Sequence, residues 1–544
     1  MSHKLNATTM TSLIAAALLA ACAGAPAPAP TTAPAPPAAS TTAPAPAKPT
    51  DAPAPVKPTD APKPTEAPKP ANVPELTYHF VTFKGTDAQA VEDEVNKILI
   101  PKIGAKLKFK TYGFSDAGQK INLMLQAGEP CDLVAVSSFV PYLPAVATGG
   151  LRPLDDLLTK NAPNLWARYK PEWWNAARVN GKIYNAFNYT GWTSYAGFWM
   201  RSDLIDKYKF DWKNTKKWED WEPLFDNIVK NEKGVTPLLS SDVWGQVWFG
   251  TYWGYDPIDD AIGSGRGGTL LGAKVGDKAR KVQLVLDLPD YKDALALARR
   301  WYTKGYFDKD VVPDNDMIAK RGQLQYGGFM FPGTGDFSTK SMADAEWKAI
   351  PIYTQHLQPK TLLTTGIGRT GTAVCATSKN PELAVKYIEE VNQNVQLYNL
   401  LNFGIEGKHW EFKDKANKVI GLPAGVTNDT VTWLPNTYWQ FGDRRQLYLT
   451  DPTDIGVWGR VDKGIAESDV SPVMGFTFNR KPVEKEIAQV NTVAKEYEGL
   501  NRGRFDNVDA KLAEYKTKLK EAGIDKIIAE MQTQIDAWAA TLPK

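Results

Sequence analysis

Cysteine and histidine are nearly missing from this chain. Its 544 residues hold 3 Cys and 4 His. There is no Cys-x-x-Cys pair and no Cys/His metal spacing, which excludes a disulfide scaffold and a zinc site of the usual kind. The four histidines are His3, His79, His356 and His409, and none sits in an HExxH pair. GxSxG and the phosphate-binding GxxxxGK[ST] are absent as well. Charge of one sign is also lacking. The net charge is +3, and no basic stripe is interleaved with aromatics, so nucleic acid is not expected as a partner. After the N-terminus no apolar run is long enough to span a bilayer. Gly263-Ser264-Gly265-Arg266-Gly267-Gly268 lacks the strand before it and the helix after it that a phosphate loop needs, and reads as a surface loop. Asp308, Asp310, Asp314 and Asp316 depart from EF-hand spacing and lack its central Gly; they read as a solvated acidic loop. Two carboxylates suffice for a glycosidase, but with 61 acidic residues that signal is nearly empty. No enzyme constellation, metal site or cofactor is expected.

What is present begins at the N-terminus. Lys4 supplies a small positive region, and Leu13-Ile14-Ala15-Ala16-Ala17-Leu18-Leu19 forms a short apolar core. This is the pattern of a secretory signal over 1–21. Leu19-Ala20-Ala21-Cys22 resembles the bacterial lipobox. That resemblance implies that Cys22 becomes a lipidated first residue, with the rest of the chain anchored at the outer face of the cytoplasmic membrane. An ordinary secretory signal that contains a cysteine is the alternative. From Cys22 to 74 the chain is dominated by Pro and Ala. It repeats Lys48-Pro49-Thr50-Asp51-Ala52-Pro53, Lys57-Pro58-Thr59-Asp60-Ala61-Pro62 and Lys63-Pro64-Thr65-Glu66-Ala67-Pro68. Proline removes backbone donors and blocks helix. With almost no large apolar side chain to offset ordering entropy, the tract reads as an extended spacer. Roughly 50 residues at 3.1 Å each reach on the order of 150 Å.

About 470 residues follow, too many for one core, so two or more lobes are expected. Tryptophan is abundant, with 18 Trp beside 20 Phe and 21 Tyr. Indole faces suit the apolar faces of sugar rings, although for any single Trp core packing is the ordinary role. Clusters beside Gly, Asn, Tyr and Asp, as in 192–199, 244–253 and 433–439, suggest that a few line a cleft.

Glu75 to Phe83 reads as a strand, followed by the turn Lys84-Gly85-Thr86-Asp87. A helix carrying Val91, Val95 and Leu99 then stops at Pro101. A second strand over Leu107–Lys110, a helix over Asp116–Ala127 and a buried strand over Asp132–Val136 continue the alternation. The pattern argues an α/β lobe with a largely parallel sheet. Asn380 is placed to N-cap a helix that has Pro381 in its first position. Near the C-terminus a helix opens at Pro482, and Gly523 separates two more. Their stripes include Ile487 and Val490, Leu512 and Tyr515, and Ile527 and Met531.

The order of these segments carries a resemblance. Gly128-Glu129-Pro130-Cys131-Asp132-Leu133, Asn180-Gly181-Lys182-Ile183-Tyr184, Trp199-Met200-Arg201-Ser202-Asp203-Leu204 and Thr377-Ser378-Lys379-Asn380-Pro381 follow one another as in family 1 extracellular solute-binding proteins of ABC importers. Within that family the chain is most similar to the LplA/LipO-like lipoproteins. Gly475 to Ile528 resembles the uncharacterised terminal module of that subgroup. The resemblance implies a two-lobed α/β fold like that of periplasmic binding proteins, with a hinge. It places lobe 1 at 75–185 and 371–430, lobe 2 at 186–370, and a mainly helical C-terminal module at 431–544. It also implies permease subunits as partners and a monomeric receptor that closes on its solute. From the aromatic clusters that solute is expected to be an oligosaccharide. A secreted glycoside hydrolase and a sensory or adhesive carbohydrate-binding lipoprotein are the alternatives.

Ligands collect at the carboxyl ends of strands in open α/β sheets. That rule selects Lys84, Asp87, Ser137 and Ser138 in lobe 1; the expected first crossing offers Asn188, Tyr189, Trp192 and Tyr195 around Gly191. In lobe 2 Trp248, Tyr252 and Trp253 are candidates in a Gly-punctuated loop, with Asp336 in a Pro332-Gly333-Thr334-Gly335 turn after an apolar strand. Trp433, Trp439 and Arg444 are late candidates. Cys131 and Cys375 both flank lobe 1 strands in an oxidising compartment; a disulfide and two buried thiols are both open.

Overall fold

The computed structural model describes residues 73–542, except 115, 138, 240–253, 260, 264–268, 311–319, 335–339, 341–342, 345–346, 358–359 and 436. The signal segment, Cys22, the spacer before residue 73, most of the Gly263–Gly268 loop, Asp314 and Asp316 lie outside the described residues.

The first sheet is built from β1 (Glu75–Val81), α1 (Ala88–Ile103), β2 (Lys106–Tyr112), α2 (Ala117–Ala127), β3 (Leu133–Val136) and β4 (Asn185–Phe187). Its second visit by the chain comes much later. β1 alternates faces, as a strand buried on both sides must. Leu76, Tyr78 and Phe80 belong to one core and Val81 to the other. α1 does not stop at Pro101. It runs to Ile103, where Gly104 adopts φ 71° and donates to Ile100 O at 3.0 Å. A proline in the last turn forfeits one helical bond, and the neighbouring residues are exposed, so the helix tolerates it.

The chain then enters the second sheet through β5 (Thr193–Arg201), β6 (Thr236–Leu238), β7 (Tyr326–Thr334), β8 (Ile352–His356) and β9 (Thr361–Leu362). It returns through α3 (Thr364–Gly368) to β10 (Gly371–Val374), α4 (Pro381–Val391) and α5 (Val395–Phe403). Asn380 holds the N-cap position of α4 and Pro381 follows it, but the Asn380 side chain makes no cap bond. After a long irregular stretch come α6 (Val457–Ala466), β11 (Asp469–Val470), α7 (Glu484–Glu496), α8 (Val508–Glu521) and α9 (Ile524–Ala539).

Sheet 1 has the order β2-β1-β3-β10-β4. β1 is parallel to β2 (Tyr78 opposite Phe109) and to β3 (Tyr78 opposite Leu133). β10 runs antiparallel to β3 and to β4, with Thr372 opposite both Ala135 and Ala186. Four strands therefore point one way and only β10 opposes them. Sheet 2 has the order β11-β9-β5-β7-β6, with β8 also pairing β5. The expected Pro332-Gly333-Thr334 turn is instead the end of β7, paired with β5 from Ala196 to Ser194. Among the described residues β6 pairs only Tyr326 and Gly328, so no described ladder bond is lost at Pro332.

The two faces of sheet 1 carry separate cores, one around Val95, Leu158 and Ile388, the other around Ile121, Val134 and Val140. Sheet 2 shares the larger of its two cores with α7, α8 and α9: Phe198, Trp221 and Leu295 lie in it beside Val490, Leu519 and Met531, while Tyr326, Phe329 and Ile352 belong to a smaller one. Each such aliphatic side chain contributes about 1.5–3 kcal/mol. Residues 431–544 divide between the lobes, since Trp433 and Phe441 belong to a sheet 1 core and Val473 onward to the sheet 2 core. Trp174, Trp192, Trp218, Trp221, Trp301, Trp347 and Trp433 are fully buried, so much of the tryptophan surplus is packing. No helix among the described residues is long and apolar enough to cross a membrane.

Candidate functional site

The strand directions bring several turns to one edge of sheet 1. Val81, Tyr112, Val136 and Phe187 are the carboxyl ends of β1, β2, β3 and β4, and Gly371 opens β10 opposite Val136 and Phe187. Both crossings to sheet 2 leave from this edge, at 188–192 and 363–370. An open α/β sheet binds its ligand at such an edge.

Three half-buried aromatics line it. Phe114 follows β2 and Phe139 follows β3; their rings meet edge to face at 5.0 Å. Phe139 stacks on Trp439 at 5.9 Å and 27°. Trp439 is held from beneath, because its carbonyl accepts from the Asn188 amide at 2.9 Å. Next in sequence, Gln440 reaches into the sheet: its amide donates to Val81 O at 2.8 Å and accepts from Val81 N at 3.0 Å. That bidentate contact replaces a missing ladder partner at the end of β1 and fixes the loop that carries Trp439. The patch presents aromatic faces, and no metal-ligating group of His, Cys, Asp and Glu occurs among the described residues.

The other candidates divide sharply. Asn188, Tyr189 and Trp192 are 2%, 2% and 1% exposed and form the floor of the first crossing. Asn188 also accepts from Gly442 N at 2.8 Å, and Trp192 donates to Asn188 O at 2.9 Å. The Tyr189 ring lies 4.6 Å from Trp192, with the Arg445 guanidinium over its face at 4.2 Å. Ser137 is buried, and its hydroxyl accepts from Phe139 N at 3.1 Å and Val140 N at 3.3 Å, which shapes the turn that carries Phe139.

Lys84, Asp87 and Trp433 meet at a different place. Lys84-Gly85 pairs with Trp433-Leu434, and the Lys84 ammonium donates to the carbonyls of Asn428 and Asp429. Asp87 accepts from the Lys408 ammonium at 2.7 Å, Thr432 at 2.6 Å and His409 Nε2 at 2.9 Å. His409 Nδ1 accepts from Ile405 N at 2.9 Å, so the ring proton sits on Nε2. These hydrogen bonds, led by that of Lys408, hold the Asp87 carboxyl well below the usual carboxylate range. Trp433 is 1% exposed, stacks on Phe109 at 6.0 Å and donates to Leu401 O. The cluster fastens the β1–α1 turn to the loop before the C-terminal helices and leaves these polar atoms engaged. Arg444 is likewise buried, 3.9 Å from the Tyr438 ring centre, and burial pushes its guanidinium below its ordinary value.

Tyr195 has its backbone at the start of β5, opposite Gly333. Ser138, Trp248, Tyr252, Trp253 and Asp336 lie outside the described residues. Phe114 and Phe139 were not among the sequence candidates. Their signal was an aromatic just past a strand end: Phe139 stands in a turn chosen for Ser137 and Ser138, whereas Phe114 follows β2, from whose end no candidate was taken. Cys131 and Cys375 are joined by a disulfide, Cα–Cα 5.8 Å, which ties the start of β3 to the end of β10 across 244 residues.

Residues 101–395 match the family model for bacterial extracellular solute-binding proteins, and 472–540 match a domain of unknown function, DUF3502. A carbohydrate ABC transporter substrate-binding protein of Streptococcus pneumoniae serotype 4 is 26% identical over 449 residues, covering 81% of this chain and 86% of that protein. The fold is similar to the N-glycan transport solute binding protein NgtS of S. pneumoniae in complex with Man5GlcNAc. There the TM-score is 0.71 at 23% identity, over 87% of this chain and 100% of that one. It is also similar to the S. pneumoniae ABC-transporter substrate binding protein FusA in complex with kestose, with TM-score 0.53 at 19% identity, over 86% and 100%. With two α/β sheets, two crossings at one sheet edge and the family match over most of both, the chain belongs to the bacterial extracellular solute-binding proteins.

Proposed function

We propose that this protein is the receptor of an ABC importer and that it captures an oligosaccharide between its lobes. The observation that carries the reading is the Phe114–Phe139–Trp439 patch at the sheet edge from which both crossings leave. Flat aromatic faces match the apolar faces of sugar rings, and the neighbouring buried amides hold the patch rigid. The names of the S. pneumoniae relatives support the same solute class. Closure of the lobes follows from tighter binding of the sugar by the closed state. Cys22 is the lipid anchor in this reading, the Pro/Ala tract is the spacer, and the receptor acts as a monomer beside its permease subunits. The tether raises its local concentration there. No catalytic step is assigned to it.

Titration calorimetry against a panel of mono- and oligosaccharides tests the solute class. Binding of at least one oligosaccharide is expected. Silence across a wide panel, with properly folded protein, overturns the sugar reading.

A further inference from the structure

The C-terminal chain makes a third passage between the lobes, and it touches the other two on the way. Its first part moves with lobe 1, because Gln440 is bonded to both backbone groups of Val81. Its last part moves with lobe 2, because Val473, Phe476 and Phe478 lie in the core of sheet 2. Between them α6 packs on β5, at the beginning of lobe 2.

Three fastenings join this passage to the hinge. At the first crossing, the Tyr189 hydroxyl donates to Asp462 of α6 at 2.8 Å, and Arg444 N donates to Tyr189 O at 2.9 Å. At the second crossing, β9 pairs in parallel with β11, and Thr364 sits between two backbone groups. Its hydroxyl donates to Val473 O and accepts from Gly475 N, both at 3.1 Å. The third fastening bridges the lobes directly. Thr477, flanked by two lobe 2 core phenylalanines, donates its hydroxyl to Arg178 O of lobe 1 at 2.6 Å. The backbone approaches closely there: a Cβ on Gly475 would lie 2.9 Å from that of Asn175, and Gly475 has φ +86°. Two bare crossings would resist bending only through their backbone torsions. With these bonds in place, a change of lobe angle must break or stretch at least one of them.

We propose that residues 439–478 form a stay across the hinge that sets the resting angle between the lobes, with Asp462 and Thr477 as positioning residues. The proposal is independent of which solute is bound.

The test uses the full chain without ligand. Lys102 in lobe 1 and Lys230 in lobe 2 are exposed. Spin labels on K102C and K230C, in a C22S background with the native disulfide intact, report the interlobe distance distribution. Thr477→Val keeps the shape of the side chain and removes its hydroxyl. Asp462→Ala acts at an exposed side chain, so it is expected to fold even where the first variant does not. Each variant should broaden the distribution, with about a fivefold rise in the population away from the resting distance, the factor matching one net hydrogen bond. Thr477→Ser should restore the narrow distribution. Unchanged distributions in folded T477V and D462A overturn the proposal. If T477V fails to fold, D462A alone decides it.

Discussion

His79 is expected to make lobe 1 sensitive to acid. It lies on β1, 5% exposed, on the face opposite Tyr78 and Phe80. Nδ1 hydrogen bonds the Tyr112 hydroxyl at 2.8 Å, and Nε2 is buried without a hydrogen-bond partner. Burial disfavours the imidazolium first and the nearby Lys110 adds to it. Asp132 opposes them weakly, and the pKa falls from 6.5 to about 4. A folded-state pKa below the unfolded one means that the unfolded chain takes up the proton first. The stabilisation is therefore complete above pH 6.5 and is lost as pH falls toward 4. With these two values the loss is about 2 kcal/mol at pH 5 and about 3 kcal/mol at pH 4. Urea unfolding of the wild type and of His79→Gln, followed by tryptophan fluorescence at pH 7.5 and pH 5, isolates this group from the other titrating residues. The wild type should lose about 2 kcal/mol more than the variant between the two pH values. Parallel losses in both proteins would refute the reasoning, as would an NMR titration that places the His79 midpoint above 6.

Trp439 and Trp433 should separate binding from packing. Trp439→Ala is expected to weaken oligosaccharide binding about thirtyfold, the factor for the loss of an anchor worth roughly 2 kcal/mol, with little change in melting temperature. Trp433→Ala should cost about 3–5 kcal/mol of stability by calorimetry or urea unfolding. A stable W433A that fails to bind would reverse the assignment. Cys375→Ser should lower stability by about 2–4 kcal/mol, since the disulfide closes a very long loop; thiol counts on unfolded protein before and after reduction check the bond itself. Cys22→Ala should release the protein from the cell envelope into the medium and abolish lipid labelling, whereas equal membrane retention would remove the anchor from the proposal.

The elements of sheet 1 were legible because each signal was local. Alternating apolar residues marked β1, and α2 ends at Gly128, which takes the left-handed cap. Pro101 and Pro332 misled because the cost of a proline depends on its place. Pro101 forfeits a single bond in the exposed last turn of α1, and Pro332 lies beyond the described pairs of β6. The site was legible only as a place. Strand order implied the edge, but the polar residues chosen there are engaged with the protein itself, as with Asp87 on His409 and Ser137 on the Phe139 turn.

By itself the sequence determined the α/β alternation and the family. Each of these depends on residue type and order within a short window. Only the tertiary structure decided which aromatics stay half-exposed at the edge of sheet 1, because burial is set by neighbours far away in the chain. Trp433 and Trp439 stand six residues apart, yet one is sealed against Phe109 and Leu401 while the other stacks half-exposed on Phe139. The division of residues 431–544 between two cores is likewise a tertiary result. The same amphipathic stripe can bury its apolar face against any lobe that offers one, and the stripe alone does not say which.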